Sequence, residues 1–213
     1  MSRVPVLLRL ALGGVCALSL AGCISLLPKT KPATLYRFGS PPPGAEAPPT
    51  QETAEVGVVR AGGLFQRESG GDRLLTVTGG RVAYVADVRW ATAAQVLFDQ
   101  ALLAAFDNDP GPIRLMSRGE PGTAKFVLRV DVRNFEARYD RGAEAAPEVL
   151  VRLRAVMVRT DRSQSVEHIL ESRVRAGDNR VGPIVDAYDR AVADVLGRLV
   201  TWTNTQAAAA PAA

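Results

Sequence analysis

Residues 126–135 read FVLRVDVRNF, residues 149–158 read VLVRLRAVMV, and residues 166–175 read VEHILESRVR. In the first, Phe126, Leu128, Val130 and Val132 fall on one face and Arg129, Asp131 and Arg133 on the other. In the second, Val149, Val151, Leu153, Ala155 and Met157 alternate with Arg152 and Arg154. The third sets Val166, Leu170 and Val174 against Glu167, Glu171, Arg173 and Arg175. Alternation with a period of two is the mark of a strand with one buried and one wet face. A polar loop, Asp140 to Pro147, and a turn, Thr160 to Ser165, separate the three runs, so they predict an antiparallel meander. The outward arginines face outward glutamates across the strands, and each such pair adds roughly 0.2–1 kcal/mol.

Downstream of the meander the period changes to that of a helix. Gly182-Pro183 opens it, with proline tolerated in the first turn. Ile184, Tyr188, Val192, Val195, Leu199 and Trp202 form the apolar stripe, and Asp186–Arg190 and Asp194–Arg198 are acid-before-base pairs four apart. From Thr203 the composition becomes low-complexity, and residues 206–213 read as a disordered tail. Upstream, Ala91 to Phe106 carries Ala94, Leu97, Phe98, Ala101, Leu102, Ala105 and Phe106 at three- and four-residue steps, the signature of an amphipathic helix. The run Asp107-Asn108-Asp109-Pro110-Gly111-Pro112 ends it. A short strand follows at Ile113 to Met116. Before the helix, Leu74 to Val77 and Val82 to Val85 flank Gly79-Gly80, which predicts a tight hairpin. Glu55 to Ala61 is a further strand candidate. Strands, helix, strands, helix is an α+β order. It predicts an antiparallel-rich mixed sheet with two amphipathic helices packed on one face, in a single domain over residues 55–205.

The N-terminal part is of another kind. Residues 23–54 hold Pro28, Pro32, Pro41, Pro42, Pro43, Pro48 and Pro49 and read as an extended tether. One apolar patch, Leu35-Tyr36-Arg37-Phe38, interrupts it and is either a first strand at 35–38 or a sticky stretch of linker. Ahead of the tether, Arg3 and Arg9 precede the uncharged run Leu10 to Ala21, which ends in Leu20-Ala21-Gly22-Cys23. A basic start, a short apolar run and small residues at a cut form a secretory signal over residues 1–22. The run is shorter than the ~20 residues a membrane span needs. Leu-Ala-Gly-Cys also resembles a lipobox, which implies that Cys23 becomes the acylated N-terminus, carrying a diacylglyceryl group and an N-acyl chain. Two or more chains hold a protein stably on a bilayer. The alternative is an ordinary signal peptide followed by an incidental cysteine. Cys16 lies inside the apolar run and leaves with the leader. Ile24 follows Cys23, where an inner-membrane retention signal would have Asp, so the expected location is the periplasmic face of the outer membrane.

Composition narrows the functional classes. The chain of 213 residues is 47% hydrophobic and 23% charged, values of an ordinary globular protein. Its net charge of +4 includes Arg3 and Arg9, so the processed chain stands near +2. The arginines are spread along strands, and no nucleic-acid partner is expected. The processed chain has one cysteine, which excludes an intramolecular disulfide, and the chain has one histidine, which excludes a His-rich metal site. There is no phosphate-binding G-x-x-x-x-G-K-[ST] loop and no G-x-S-x-G elbow. His168 is the only histidine available as a base, and its phase with Val166 and Leu170 makes it a core or edge residue of a strand. Asp107 and Asp109 sit at a helix end beside proline, where capping and turn formation account for them. No enzyme activity and no cofactor are expected, other than the covalent lipid at Cys23.

The segment Arg81-Val82-Ala83-Tyr84-Val85-Ala86-Asp87-Val88-Arg89-Trp90-Ala91 passes from a strand holding Tyr84 to a Trp-Ala pair before a helix. With the lipobox, the Tyr-containing patch 35–38 and the Val-rich strand at 56–59, it resembles the ABC-type transport auxiliary lipoproteins (PqiC-like) over roughly Ala33 to Thr205. The long Pro-rich loop after Phe38 departs from that pattern. The resemblance implies a lipoprotein of the envelope that assists an ABC transporter and its MCE-domain protein in moving lipids or other hydrophobic compounds across the periplasm. It would be membrane-anchored, with ATP hydrolysis left to the partner and a homo-oligomer conceivable. The other reading is an envelope-assembly lipoprotein of similar shape, such as a lipopolysaccharide-assembly or structural factor. Tyr84, Arg89 and Trp90 are the candidates for a partner-facing or sheet-edge site, because Tyr, Trp and Arg are enriched at binding hot spots. The competing role for Tyr84 and Trp90 is to pin the helix to the sheet.

Overall fold

The computed structural model describes residues 32–39, 56–117 and 119–209. The leader, Cys23 and the greater part of the tether lie outside the described residues, as do residues 210–213. Eight strands form one mixed sheet: β1 (Thr34–Tyr36), β2 (Val56–Ala61), β3 (Arg73–Thr78), β4 (Arg81–Trp90), β5 (Ile113–Met116), β6 (Ala124–Arg138), β7 (Glu148–Arg159) and β8 (Ser165–Arg175). Two helices complete the domain, α1 (Ala94–Asp107) between β4 and β5 and α2 (Val181–Ala209) after β8. The α+β class and the helical and strand periods expected from the sequence are those observed.

The 15-residue β6 is the spine of the sheet. Along one edge it pairs antiparallel with β7, which pairs antiparallel with β8, giving the expected meander. Two parallel partners share its other edge. β2 lies beside its first half and carries β5 outside it, while β3 lies beside its last two residues and carries β4 and then β1. Residues 63–65 fill the gap between them. The Val132 amide donates to the Leu64 carbonyl at 2.7 Å, and Phe65 bridges to Val132. Gly63 is required there, since a Cβ on it would lie 1.6 Å from the Val130 carbonyl oxygen.

A bulge at Val132–Asn134 decides what the far half of β6 buries. Strict alternation from Phe126 would put Phe135 on the wet face with Arg133. The extra residue reverses the phase. Phe126, Leu128, Val130 and Val132 point to the helices before the bulge, and Phe135 and Ala137 do so after it. Phe135 thereby reaches an aromatic cluster, with ring centroids 4.8 Å from Tyr188, 5.1 Å from Phe38, 5.6 Å from Phe65 and 6.2 Å from Trp90. This cluster ties β4, β6, α2 and Phe38, two residues past β1, into one core.

Three boundaries differ from the expected ones. The first strand is Thr34–Tyr36, not 35–38. Phe38 has left the ladder and inserts into the core, and Gly39 donates to the Asp189 carboxylate at 2.7 Å. The first helix begins at Ala94 rather than Ala91, because Trp90 still belongs to β4 and the Ala91 amide bonds the Tyr36 carbonyl at 2.8 Å. It ends as expected, with the Asn108 side chain capping the Ala104 carbonyl at 2.7 Å and Asp109 accepting from Gly111 in a tight turn. The expectation that residues 206–213 are disordered is corrected for 206–209, which continue α2. Thr203 is fully buried, Asn204 donates to Asp109 at 2.7 Å, and the alanines that follow are the best helix formers.

Candidate partner-facing surface

β4 carries the three residues singled out in the sequence, and the structure divides them. Trp90 is 2% exposed. Its register beside Tyr36 places its ring toward the helices, where it meets Phe38 edge-on at 5.0 Å and Tyr188 at 5.2 Å. The expectation that Trp90 faces a partner is therefore corrected. It is a core residue, with Phe38 packed on it from the tether side. Arg89, next to it, points the other way and pairs with Asp72 at 2.9 Å, both side chains being about half exposed. Tyr84 is exposed as well. Its hydroxyl donates to the Glu68 carbonyl at 3.1 Å, and the Arg73 guanidinium lies 5.1 Å from its ring centre.

The path of β4 explains the division. Arg81 to Tyr84 pair with Thr78 to Leu75 across the Gly79-Gly80 turn, where both glycines have positive φ, 51° and 81°. Such a turn matches the twist of a hairpin and excludes most side chains. The ladder then jumps from Leu75–Tyr84 to Arg73–Arg89, so residues 85–88 form a wide bulge with Asp87 at φ 54°. At Val88 β4 gains β1 as a neighbour, and Val88 and Trp90 are buried; before the bulge, Arg81 to Tyr84 are exposed. Val82 is 51% exposed, and Ala83 and Ala86 are exposed. Leu35 on β1, 61% exposed, adds to the same apolar surface region around β4. The uninterrupted run Val82-Ala83-Tyr84-Val85-Ala86 lacks the alternation of β6 and β7, and that was the signal in the sequence for a strand not half-buried in the ordinary way.

The wet face of β6–β7–β8 is chemically different. Asp131 is 1% exposed and accepts from the Leu64 amide and Arg129 Nε, each at 2.9 Å, with Arg133 at 3.3 Å and Arg154 at 3.5 Å. Burial alone would raise its carboxyl, but the Leu64 amide, the Arg129 hydrogen bond and the charges of Arg129 and Arg133 outweigh it and hold the group below its ordinary range. Arg154 also grips Glu167 through two bonds, 2.7 and 2.6 Å, and Arg152 faces Glu171 at 3.6 Å. The face is a lattice of satisfied charges. On the helix-covered side of the sheet Arg60 of β2 pairs with Asp99 of α1, where burial pushes the Asp99 carboxyl up. His168 lies at the sheet's edge, stacked on Trp202 at 5.7 Å. Among the described residues there is no cluster of side chains able to hold a metal, and no helix is long and apolar enough to cross a membrane.

The architecture has solved relatives. Protein XCC0632 from Xanthomonas campestris, of the DUF330 family, superposes with a TM-score of 0.67 at 19% identity, covering 82% of this chain and 97% of that one. A second, uncharacterized protein superposes with a TM-score of 0.62 at 11% identity, over 81% and 99%. At these identities the likeness speaks for the fold. Among curated proteins no sequence match was found. The family model described as the ABC-type transport auxiliary lipoprotein component matches residues 36–200. The chain belongs to that family. The match opens at Tyr36 on β1 and closes at Val200 near the end of α2, so it takes in the hairpin, the spine β6 and the aromatic core of this auxiliary lipoprotein.

Proposed function

We propose that this auxiliary lipoprotein is a non-catalytic component of an MCE-type ABC transport system, acylated at Cys23 and held at the periplasmic face of the outer membrane. Membership of the auxiliary lipoprotein family carries the reading. The leader and the lipobox-like Leu20-Ala21-Gly22-Cys23 supply the anchor, and Ile24 supplies the sorting argument. The Pro-rich tether gives the domain reach while anchoring confines it near one surface, which raises its effective concentration for a partner there. The partner is an MCE-domain protein. Arg89 with Asp72, at the base of the β3–β4 hairpin, is the pair proposed to meet it, since an exposed ion pair contributes little to folding and is free to exchange partners.

The test is capture of the acylated, full-length protein from detergent extract by an immobilised MCE-domain protein encoded beside an ATPase and a permease. The expected result is specific retention, weakened about tenfold or more by Arg89→Glu, equivalent to at least about 1.4 kcal/mol, with no loss of melting temperature. Failure of the unaltered protein to bind any such MCE partner would contradict the reading.

A further inference from the structure

The geometry points to the β3–β4 hairpin as a bilayer contact: Val82 and Tyr84, with Leu35 on the neighbouring β1, seat in the headgroup boundary of the membrane that holds the anchor, while Arg73 and Arg81 meet its phosphates. The inference rests on the reading of Cys23 as acylated and adds to it a fixed orientation of the domain.

Three observations carry it. The first is direction. β1 runs parallel to β4 with Thr34 beside Val88 and Tyr36 beside Trp90, so the N-terminal end of β1 points toward the Arg81 end of β4, where the hairpin turns. The second is length. Eleven residue steps separate Cys23 from Thr34, so chain geometry keeps the anchor within roughly 40 Å of β1. The five residue steps of β3 from Arg73 to Thr78 carry the hairpin about 17 Å in that direction. The third is the composition of the hairpin. Val82, Ala83, Tyr84 and Ala86 are all exposed on a strand whose outer edge has no partner among the described residues before Val88. An open, apolar strand edge in water is a site for unwanted pairing, so something must cover it. The side chains suit a lipid surface. Tyrosine presents an apolar ring with a polar tip and is favoured at the membrane boundary. Arginines snorkel from an apolar patch to the headgroups. Arg73 already lies over the Tyr84 ring, and Arg81 is exposed at the turn.

The experiment uses the full-length, acylated protein in vesicles of phosphatidylethanolamine and phosphatidylglycerol. Cys16 leaves with the leader and the Cys23 sulfur carries lipid, so Val82→Cys introduces the only free thiol. It is labelled with an environment-sensitive dye, and Ile169→Cys, exposed on the outer face of β8, serves as the comparison. A dye seated roughly 5–10 Å into the interface at position 82 shifts to the blue and is quenched by lipid spin-labelled at the headgroup, while the dye at 169 is not. Adding Tyr84→Asp to the labelled Val82→Cys protein abolishes that quenching. Protein that floats with the vesicles but shows no more quenching at 82 than at 169 overturns the inference and leaves the anchor intact. A blue shift at 82 without lipid quenching means that protein, a second copy or the transport partner, covers the hairpin, and overturns it equally. Protein that fails to float removes the anchor itself and with it both readings.

Discussion

Among the described strands, β8 and the first half of β4 both leave an edge open, as the short β1 and β5 do, and the two longer edges are finished in opposite ways. β8 is eleven residues long and pairs only with β7 among the described strands. Its outward side chains are Glu167, Ile169, Glu171, Arg173 and Arg175, most of them in ion pairs. Two arginines of α2 reach over to its carbonyls, Arg198 to Glu171 at 2.5 Å and Arg190 to Arg175 at 3.4 Å. Charges and covered backbone are the usual means of keeping an edge from pairing with another chain. The first half of β4 has a single charge, Arg81 at the turn, and Val82 to Ala86 carry none. The contrast teaches that one edge is built to remain in water and the other to be covered. The acylation proposed at Cys23, with the bilayer contact proposed for the hairpin, would give a reason for the difference.

Substitutions at the two ends of β4 sharpen this contrast most strongly. Trp90→Ala removes a buried ring that meets Phe38, Phe135 and Tyr188 and is expected to lower stability by about 3–5 kcal/mol. Tyr84→Ala, six residues earlier on the same strand, should change it by less than about 1 kcal/mol, as exposed positions do. Denaturant unfolding of the two variants side by side checks this. Equal losses would mean that the first half of β4 belongs to the core.

The next effect concerns the charged face. Asp131→Asn leaves Arg129, Arg133 and Arg154 without their shared carboxylate and weakens the bond from the Leu64 amide. The expected loss is about 2 kcal/mol, the scale of a hydrogen bond to a charged group. The same residue gives the pH dependence its sign. Its native pKa is depressed, so its stabilising effect is fully present above the ordinary carboxylate value of roughly 4 and is lost as pH falls through the lower native value. Unfolding free energy measured from pH 6 downward should fall more steeply below pH 4 in the unaltered protein than in Asp131→Asn. Parallel curves would contradict the assignment.

Smaller effects belong to the guarding of β8. Arg198→Ala uncovers the Glu171 carbonyl and breaks the pair with Asp194. It should lower stability by no more than about 1 kcal/mol, yet increase concentration-dependent light scattering. Unchanged scattering would show that the arginine does not guard the edge. A double-mutant cycle on Arg154 and Glu167 is expected to give a small favourable coupling that shrinks with added salt. A coupling that resists salt would place the pair in a drier setting than its exposure implies.

Much of this fold can be read before the structure, and the parts that cannot share a physical cause. The meander is legible because β7 and β8 keep one phase from end to end, and alternation reports burial directly. The phase reversal in β6 is invisible, since Val132-Arg133-Asn134-Phe135 is equally consistent with a strand that simply stops. Phe38 reads as the last residue of a strand because nothing local reveals the cavity between β4, β6 and α2 that receives it. Trp90 stays open between a partner-facing and a helix-pinning role for the same reason. Tryptophan, tyrosine and arginine are common both at binding surfaces and at core anchors, and only the register of β1 against β4, together with Phe38, decides between these. Composition misled at Gln206 to Ala209, where low complexity suggested disorder although alanine favours the helix already under way. The exposure of Val82 and Tyr84 is signalled by five consecutive apolar residues without alternation, but its direction relative to the start of β1 depends on the parallel pairing of β1 with β4, a nonlocal fact.

The proposed acylation of Cys23 is the central claim, and the intact mass of the mature protein isolated from the envelope tests it most directly. The account predicts a chain that begins at Cys23 and carries a diacylglyceryl group with an N-acyl chain. A chain with a free Cys23 thiol, or one that retains residues 1–22, would contradict it.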